Sequence, residues 1–254
     1  MSLNRRRFLQ RAVQTGAAFC AATAAPRQIS RLFAAPVARK ALRVCLVSGS
    51  EEYKSNESLA KFQEYLQERD LAICSRAFWT SKTDLPGLEA LDTCDVMILF
   101  TKRLEPPADQ LDRIKKYCLA GRPIVGLRTA SHAFQKWLEL DREVLGGDYQ
   151  GHYGSGIVTK IKIAPDGEKS EILKGFKPFE TTTKLYKNPH IADDTKLLLT
   201  GSIPDHTEPL AWTREKRGRV FYTSLGGPED FEQDAFREML VNSLFWATRK
   251  KRPA

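Results

Sequence analysis

An α/β fold on a mainly parallel sheet, with helices over both faces, is predicted by three features of the chain. Near-continuous apolar runs of strand length, Leu42 to Ser48 and Val96 to Phe100 above all, end in small or polar residues. Stretches with apolar residues at helical spacing separate them. The length of 254 residues suits one large α/β domain or two small ones, with a core that needs no disulfide staples. Strands that are apolar on both sides need cover on both sides, and alternation with helices supplies it.

The first strand, Leu42 to Ser48, ends in the turn Gly49-Ser50. The helix after it has Ser55 or Ser58 as a cap and carries Leu59, Phe62 and Leu66 on one face. Leu71 to Ala77 is a second strand, and Val96 to Phe100 is the third and most apolar. Pro106-Pro107 opens the next helix at the favoured N-terminal position, with Leu111, Ile114 and Cys118 as its stripe and Gly121 as its stop. Pro123 to Leu127 is a fourth strand. Beyond residue 145 the pattern loosens into glycine-rich loops and strands near 157–163, 196–200, 209–214 and 219–224. A last helix then carries Phe236, Met239, Leu240, Ser243, Leu244 and Ala247. No internal repeat or long linker divides the chain, so one domain is expected over 41–248, with a basic tail over 249–254.

The formal charge of +9 suggests a polyanionic partner until it is located. Residues 1–40 hold Arg5, Arg6, Arg7, Arg11, Arg27, Arg31, Arg39 and Lys40 with no acid, and Arg249 to Arg252 add four more cations. Without these the body, 41–248, stands at −3. The tail is a short basic run without interleaved aromatics, suited to a helix end in solvent, and no nucleic-acid partner is expected. Asn4-Arg5-Arg6-Arg7-Phe8-Leu9-Gln10 resembles a twin-arginine export signal, followed by a weakly apolar stretch, Ala12 to Ala25. Residues 1–36 are therefore expected to be a signal peptide, cut after Ala24 or near Ala34-Ala35. The mature protein is then periplasmic or extracellular, touching the membrane only through that signal. The alternative is a basic amphipathic helix on a membrane surface. Cys45, Cys74, Cys94 and Cys118 lack any zinc spacing and are expected to be structural thiols, with a Cys94–Cys118 bridge as the conceivable exception.

In such sheets ligands bind beyond the carboxyl ends of the strands. That rule selects Ser48 to Tyr53, Thr101 to Arg103, Arg128 to His132 and Ser224 to Gly227. Gly126 to Phe134 is the most informative run: a strand enters a sharp turn, then Thr129 or Ser131 caps a short helix carrying His132. Where an amidotransferase would place a nucleophilic cysteine, this chain has Arg128 or Thr129, so thiol acyl chemistry is disfavoured. Arg128 suits a carboxylate, phosphate or polarised carbonyl; His132 suits acid/base work near neutral pH. The competing interpretation is a capping turn with a hydrogen-bonded core histidine. Thr129 and Ser131 are candidate substrate contacts, as is Gly226, whose pairing with Gly227 allows close backbone approach.

Gly146 to Gly156 is glycine-dense but does not open a helix after a strand, so it is no dinucleotide fingerprint. Asp148 and His152, among two tyrosines, suit the holding of a polar ring. Asp148, His132 and His152 could also form a two-histidine, one-carboxylate metal set, for zinc for instance, but no diagnostic spacing supports it and no cofactor is expected. Asp230 is assigned to capping the last helix, and His190 and His206 to solvated loops.

The runs Val47 to Ser55, Gly126 to Phe134, Leu145 to Gly154, Glu208 to Arg214 and Gly218 to Gly226, with Asp230-Phe231 and Phe245-Trp246-Ala247, resemble a bacterial ThuA-like (trehalose-utilisation) domain. The resemblance covers nearly all of 41–248 in one order. It implies a flavodoxin-like three-layer sandwich of the class I glutamine amidotransferase-like type, without the catalytic cysteine. It implies a role in carbohydrate utilisation, beside oxidoreductases that make keto-sugars. Tyr53, Arg103, Arg128, His132, Asp148, His152 and Tyr186 match positions expected around the family's cleft. Gly227 stands where many relatives carry a histidine after Leu-Gly, and Glu51 where they often place a histidine before Glu-Tyr; both weaken metal or acid/base chemistry. The expectation is a sugar-processing lyase, isomerase or hydrolase using His132, Arg128 and Asp148, with a carbohydrate or oxidised carbohydrate as partner. The alternative is a non-catalytic sugar- or partner-binding domain. The oligomeric state stays open.

Overall fold

The computed structural model describes residues 41–253; the export signal expected within 1–36 lies outside them. A single nine-stranded sheet runs in the order β2-β1-β3-β4-β9-β8-β7-β5-β6. Its strands are β1 (Leu42–Gly49), β2 (Ala72–Phe78), β3 (Val96–Thr101), β4 (Ile124–Leu127), β5 (Thr159–Ile163), β6 (Glu180–Thr181), β7 (Thr195–Ile203), β8 (His206–Arg214) and β9 (Val220–Thr223). Three α-helices accompany them, α1 (Ser55–Gln67), α2 (Ala108–Leu119) and α3 (Asp234–Thr248).

The expectation of a mainly parallel sheet is corrected: the sheet is mixed. From β2 to β9 every pairing is parallel, whereas β8, β7, β5 and β6 add on antiparallel. The two halves differ in burial. All six residues of β3 and all four of β4 are buried, as a strand covered on both faces requires. β5 alternates buried and exposed in its first four residues, and much of β7 is only half-buried. A strand with one wet face needs no helix crossover, and β7 turns directly into β8 through Pro204 and Asp205, whose φ is 64°.

Alternating residues of the central strands feed two cores. Leu46, Ile98, Phe100 and Leu127 pack with Phe62 of α1 and Leu240 of α3 on one face; Cys45, Val47, Met97 and Leu99 pack with Ile114 of α2 on the other. Gly121 closes α2 as expected, at φ 71°, with the Arg217 carbonyl where a Cβ would fall. Two caps differ from expectation. Neither Ser55 nor Ser58 caps α1; Lys54 does, at φ 47° with no side-chain cap, while Ser55 Oγ accepts the Ser50 N–H at 2.7 Å. Pro107 is the N-cap of α2 rather than its first residue. All four cysteines here are free, so no Cys94–Cys118 bridge forms. Burial pushes the Cys118 thiol up to about 12. No helix among the described residues is long and apolar enough to cross a membrane.

Candidate functional site

The carboxyl ends of β1, β3 and β4 converge on one elbow. β4 ends at Leu127, and Arg128 takes φ 45°, a left-handed backbone on a non-glycine residue, before a 3-10 turn over Arg128–His132. The strain is held in place from behind: Tyr222 donates its hydroxyl to the Arg128 carbonyl at 2.7 Å. This is the strand-elbow-helix geometry anticipated for Gly126 to Phe134, with Arg128 at its apex.

The Arg128 side chain turns inward and is fully buried. Nη1 donates to the Ser224 carbonyl, and Nη2 to the Tyr53 hydroxyl and the Lys184 carbonyl, both at 3.1 Å. Its guanidinium lies between the Tyr53 and Tyr186 rings, 4.3 and 4.4 Å from their centres. Arg128, Tyr53 and Tyr186, three expected site residues, are thus one packed unit. These bonds fix the guanidinium from two sides, while Nε is buried without a hydrogen-bond partner among the described residues.

His132 emerges at the far end of the same turn, 5% exposed. Its ring stacks on Tyr149 at 4.3 Å and 16°, and Tyr149 in turn meets Tyr186 at 4.5 Å. Nδ1 lies 3.0 Å from Ser131 Oγ. Burial first, then the charges of Arg103, Lys102 and Arg128, push the imidazole down to about 3, so it is neutral at physiological pH. A cavity opens beside it, lined by Arg103, Ser131, His132, Asp141, Asp148 and Tyr149. Four of these were expected.

Arg103 follows β3 at φ 47°, and its N–H donates to the His132 carbonyl at 2.8 Å. Among the described residues its exposed guanidinium bonds only to Gln135, at 3.3 Å. Beside it Lys102 and Lys184 share Glu52. Burial raises the Glu52 carboxyl, but its bond to Lys102 and the two ammonium charges outweigh that and hold it below the usual range.

Asp141 is the residue sequence analysis missed. It lies in a π-helical turn, Asp141–Leu145, and is 6% exposed. Oδ2 accepts the Tyr149 N–H at 2.8 Å; Oδ1 is buried without a hydrogen-bond partner among the described residues. Burial, with the Asp148 charge adding to it, pushes its carboxyl up to about 7, against the lowering effect of the Tyr149 bond. In sequence, Leu140-Asp141-Arg142-Glu143 looks like a solvated charge run. The one available signal was Gly147: a Cβ there would fall 2.3 Å from Asp141 Oδ1.

Other expected residues are held by partners of their own or lie away from the cavity. Asp148 is tied to Arg142 at 3.2 Å and to Gln150 at 2.7 Å. His152 is exposed, with Nδ1 2.8 Å from the Tyr153 carbonyl. His132, Asp148 and His152 do not gather as a metal set, and no group of three metal-ligating side chains forms among the described residues. Thr129 is fully buried, its hydroxyl without a partner among the described residues. Asp230 does not cap α3, which starts at Asp234. Its carboxylate instead accepts the Thr181 and Thr183 hydroxyls and the Gly226 and Gly227 N–H groups, at 2.6 to 3.2 Å. Gly226 thus gives its N–H to Asp230 and packs near Arg128 and Phe100.

The family description for ThuA, trehalose utilisation, matches residues 43–247. The chain belongs to the ThuA family. Among solved structures, a protein designated ThuA-like from Bacteroides uniformis superposes with TM-score 0.65 at 18% identity, over 85% of this chain and 95% of that one. Another so designated, from Parabacteroides merdae, gives TM-score 0.65 at 15% identity, over 85% and 92%. A glutamine amidotransferase from Thermotoga maritima gives TM-score 0.54 at 12% identity, over 83% and 100%, a likeness of fold. No curated protein matches the chain. In this ThuA-family member the residue after Leu225-Gly226 is a tightly packed glycine. A Cβ on Gly227 would fall 2.2 Å from Thr183 Oγ1, so a side chain there would force Thr183 or the loop to move.

Proposed function

We propose that this ThuA-family protein acts in carbohydrate utilisation on a disaccharide or keto-sugar, by acid/base chemistry at the carboxyl edge of the parallel strands. The observation that carries this is His132, stacked on Tyr149 at the edge of a cavity that also holds Arg103 and Asp148. Aromatic faces suit a sugar ring, and polar groups around them suit its hydroxyls. In a keto-sugar the proton next to the carbonyl is acidic. The His132 imidazole takes that proton as negative charge moves onto the carbonyl oxygen beside Arg103; that negative charge offsets the nearby cations that otherwise lower the basicity of the ring. Returning the proton to the neighbouring carbon gives isomerisation; loss of a leaving group from the next carbon gives elimination.

Export by the twin-arginine route, to the periplasm or beyond, belongs to the same proposal and rests on Arg5-Arg6-Arg7-Phe8-Leu9. A second interpretation is a sugar-binding domain without turnover. It is favoured by an elbow that carries a buried Arg128 whose Nη1 and Nη2 groups already bond to the protein. The test is incubation of the purified protein with a panel of disaccharides and their 3-keto forms, beside His132→Ala. Turnover that falls at least about a hundredfold in the variant supports the acid/base role. Undiminished turnover removes His132 from the mechanism, and binding without turnover selects the second interpretation.

A further inference from the structure

The two ring nitrogens of His132 meet different surroundings. Nδ1 faces the turn on which the residue stands, 3.0 Å from Ser131 Oγ. Nε2 makes no hydrogen bond among the described residues, and the ring borders the cavity. A neutral imidazole carries its proton on one nitrogen and a lone pair on the other. Whatever Ser131 does at Nδ1 therefore decides what Nε2 offers the cavity.

Ser131 has one proton to give and two neighbours to give it to. Its hydroxyl lies 3.3 Å from the Arg128 carbonyl, three residues back, as well as 3.0 Å from Nδ1. A carbonyl oxygen can only accept, whereas Nδ1 can donate or accept. Both contacts become hydrogen bonds in one arrangement alone: Ser131 donates to Arg128 and accepts from Nδ1–H. Were Ser131 to donate to Nδ1, its oxygen would face the carbonyl oxygen with no proton between them. The Arg128 carbonyl, on the residue at φ 45°, uses its other lone pair on the Tyr222 hydroxyl at 2.7 Å. Tyr222 is fully buried and Ser131 is 3% exposed, so the protein and not bulk water supplies these partners.

We propose that Ser131 is a positioning residue that, braced by the Arg128 carbonyl and Tyr222, holds the His132 proton on Nδ1 and leaves the Nε2 lone pair to the cavity as the proton acceptor. The proposal rests on the acid/base function above and deepens it by naming the atom that takes the proton. A proton drawn from a ligand arrives on Nε2 while Nδ1–H stays on Ser131, and the same Nε2–H gives it back. No proton has to leave by the buried edge of the ring. The role resembles that of any group that fixes a catalytic imidazole in one tautomer, here performed by a neutral hydroxyl instead of a carboxylate.

The experiment is long-range proton–nitrogen NMR of the full chain with isotopically labelled histidine, near neutral pH. His132 is picked out among the four histidines by the signals missing from His132→Gln. Wild-type protein is expected to hold the His132 proton on Nδ1 in about tenfold excess or more. In Ser131→Ala that excess is expected to fall by about tenfold, toward the Nε2–H form that free histidine prefers. A wild-type ring with its proton on Nε2 overturns the proposal, as does a Ser131→Ala ring with the wild-type ratio. Should Ser131→Ala fail to fold, the wild-type spectrum decides alone. No sugar enters the measurement, so the two ideas fail separately: an Nδ1–H ring in a protein that turns over no sugar refutes the acid/base function alone. Turnover that depends on His132 in a protein whose ring carries Nε2–H refutes this inference alone.

Discussion

The Asp141 carboxylate accepts the backbone N–H of Tyr149 at 2.8 Å, and the Tyr149 ring lies flat on His132. A group with no place in the expected site thus sets the wall of the cavity, and two groups with displaced protonation sit a few side chains apart.

Their contributions to pH-dependent stability oppose each other. The Asp141 carboxyl is raised from 3.8 to about 7, so the folded state holds its proton more tightly than the unfolded chain. Its contribution to stability falls as pH rises from about 4 to about 7, then levels. His132 is lowered from 6.5 to about 3, so the unfolded chain binds that proton more tightly, and stability is lost as pH falls from about 6.5 to about 3. In Asp141→Asn, stability should therefore rise with pH more steeply than in wild type between 4 and 7. In His132→Gln it should rise less steeply, or fall, below 6.5. Denaturant titrations across that range, each variant against wild type, check both signs; parallel profiles for all three proteins refute the assignment.

Arg128→Met keeps much of the side-chain volume but leaves the Ser224 and Lys184 carbonyls and the Tyr53 hydroxyl without their donor. We expect a loss of about 3 kcal/mol or more, from several buried polar groups left unpaired at roughly 1–3 kcal/mol each. Urea unfolding measures it, and a loss below about 1 kcal/mol would show that the sandwich between Tyr53 and Tyr186 is unimportant to stability.

Gly227→Ala puts a methyl group against Thr183 Oγ1, where a Cβ would be only 2.2 Å away. An overpacking cost of about 1–3 kcal/mol follows. In a Thr183→Ala background that cost should shrink, because the clashing oxygen is gone. Additive losses in the double-mutant cycle would mean that the glycine is needed for another reason.

Gly147→Ala tests the wall of the cavity. Its Cβ would press on Asp141 Oδ1 at 2.3 Å, which should displace the carboxylate or the loop and loosen the Tyr149 stack. The expected outcome is weaker ligand binding with Tyr149 more open to solvent, read from its fluorescence quenching or from proton chemical shifts of His132. An unchanged His132 spectrum would sever the link from Asp141 to His132.

Much of the parallel half could be read directly from residues. Val96 to Phe100 is apolar on both faces because it is covered on both, and local composition records that. Arg103, Ser131 and His132 were found by one rule about strand ends and Asp148 in the glycine-dense run that follows, and they line one cavity. Arg128, Tyr53 and Tyr186 were also found, one by one, and the structure adds that they contact each other. A buried arginine and a substrate-binding arginine look alike in sequence, because the difference lies in which carbonyls lie within reach. Thr181, Thr183, Gly226 and Gly227 are brought to Asp230 across as many as 49 positions, so no local pattern encodes that clip.

What the sequence by itself determined is therefore what short-range patterning carries: the βα alternation, the elbow after β4, the line-up of polar groups at the strand ends and the ThuA resemblance. The tertiary structure alone decided the antiparallel half of the sheet, the inward turn of Arg128, the neutral His132 and the buried Asp141. The reason is physical. Strand direction, solvation and ionisation depend on which distant groups become neighbours and how much water they exclude, and those quantities exist only once the chain has folded.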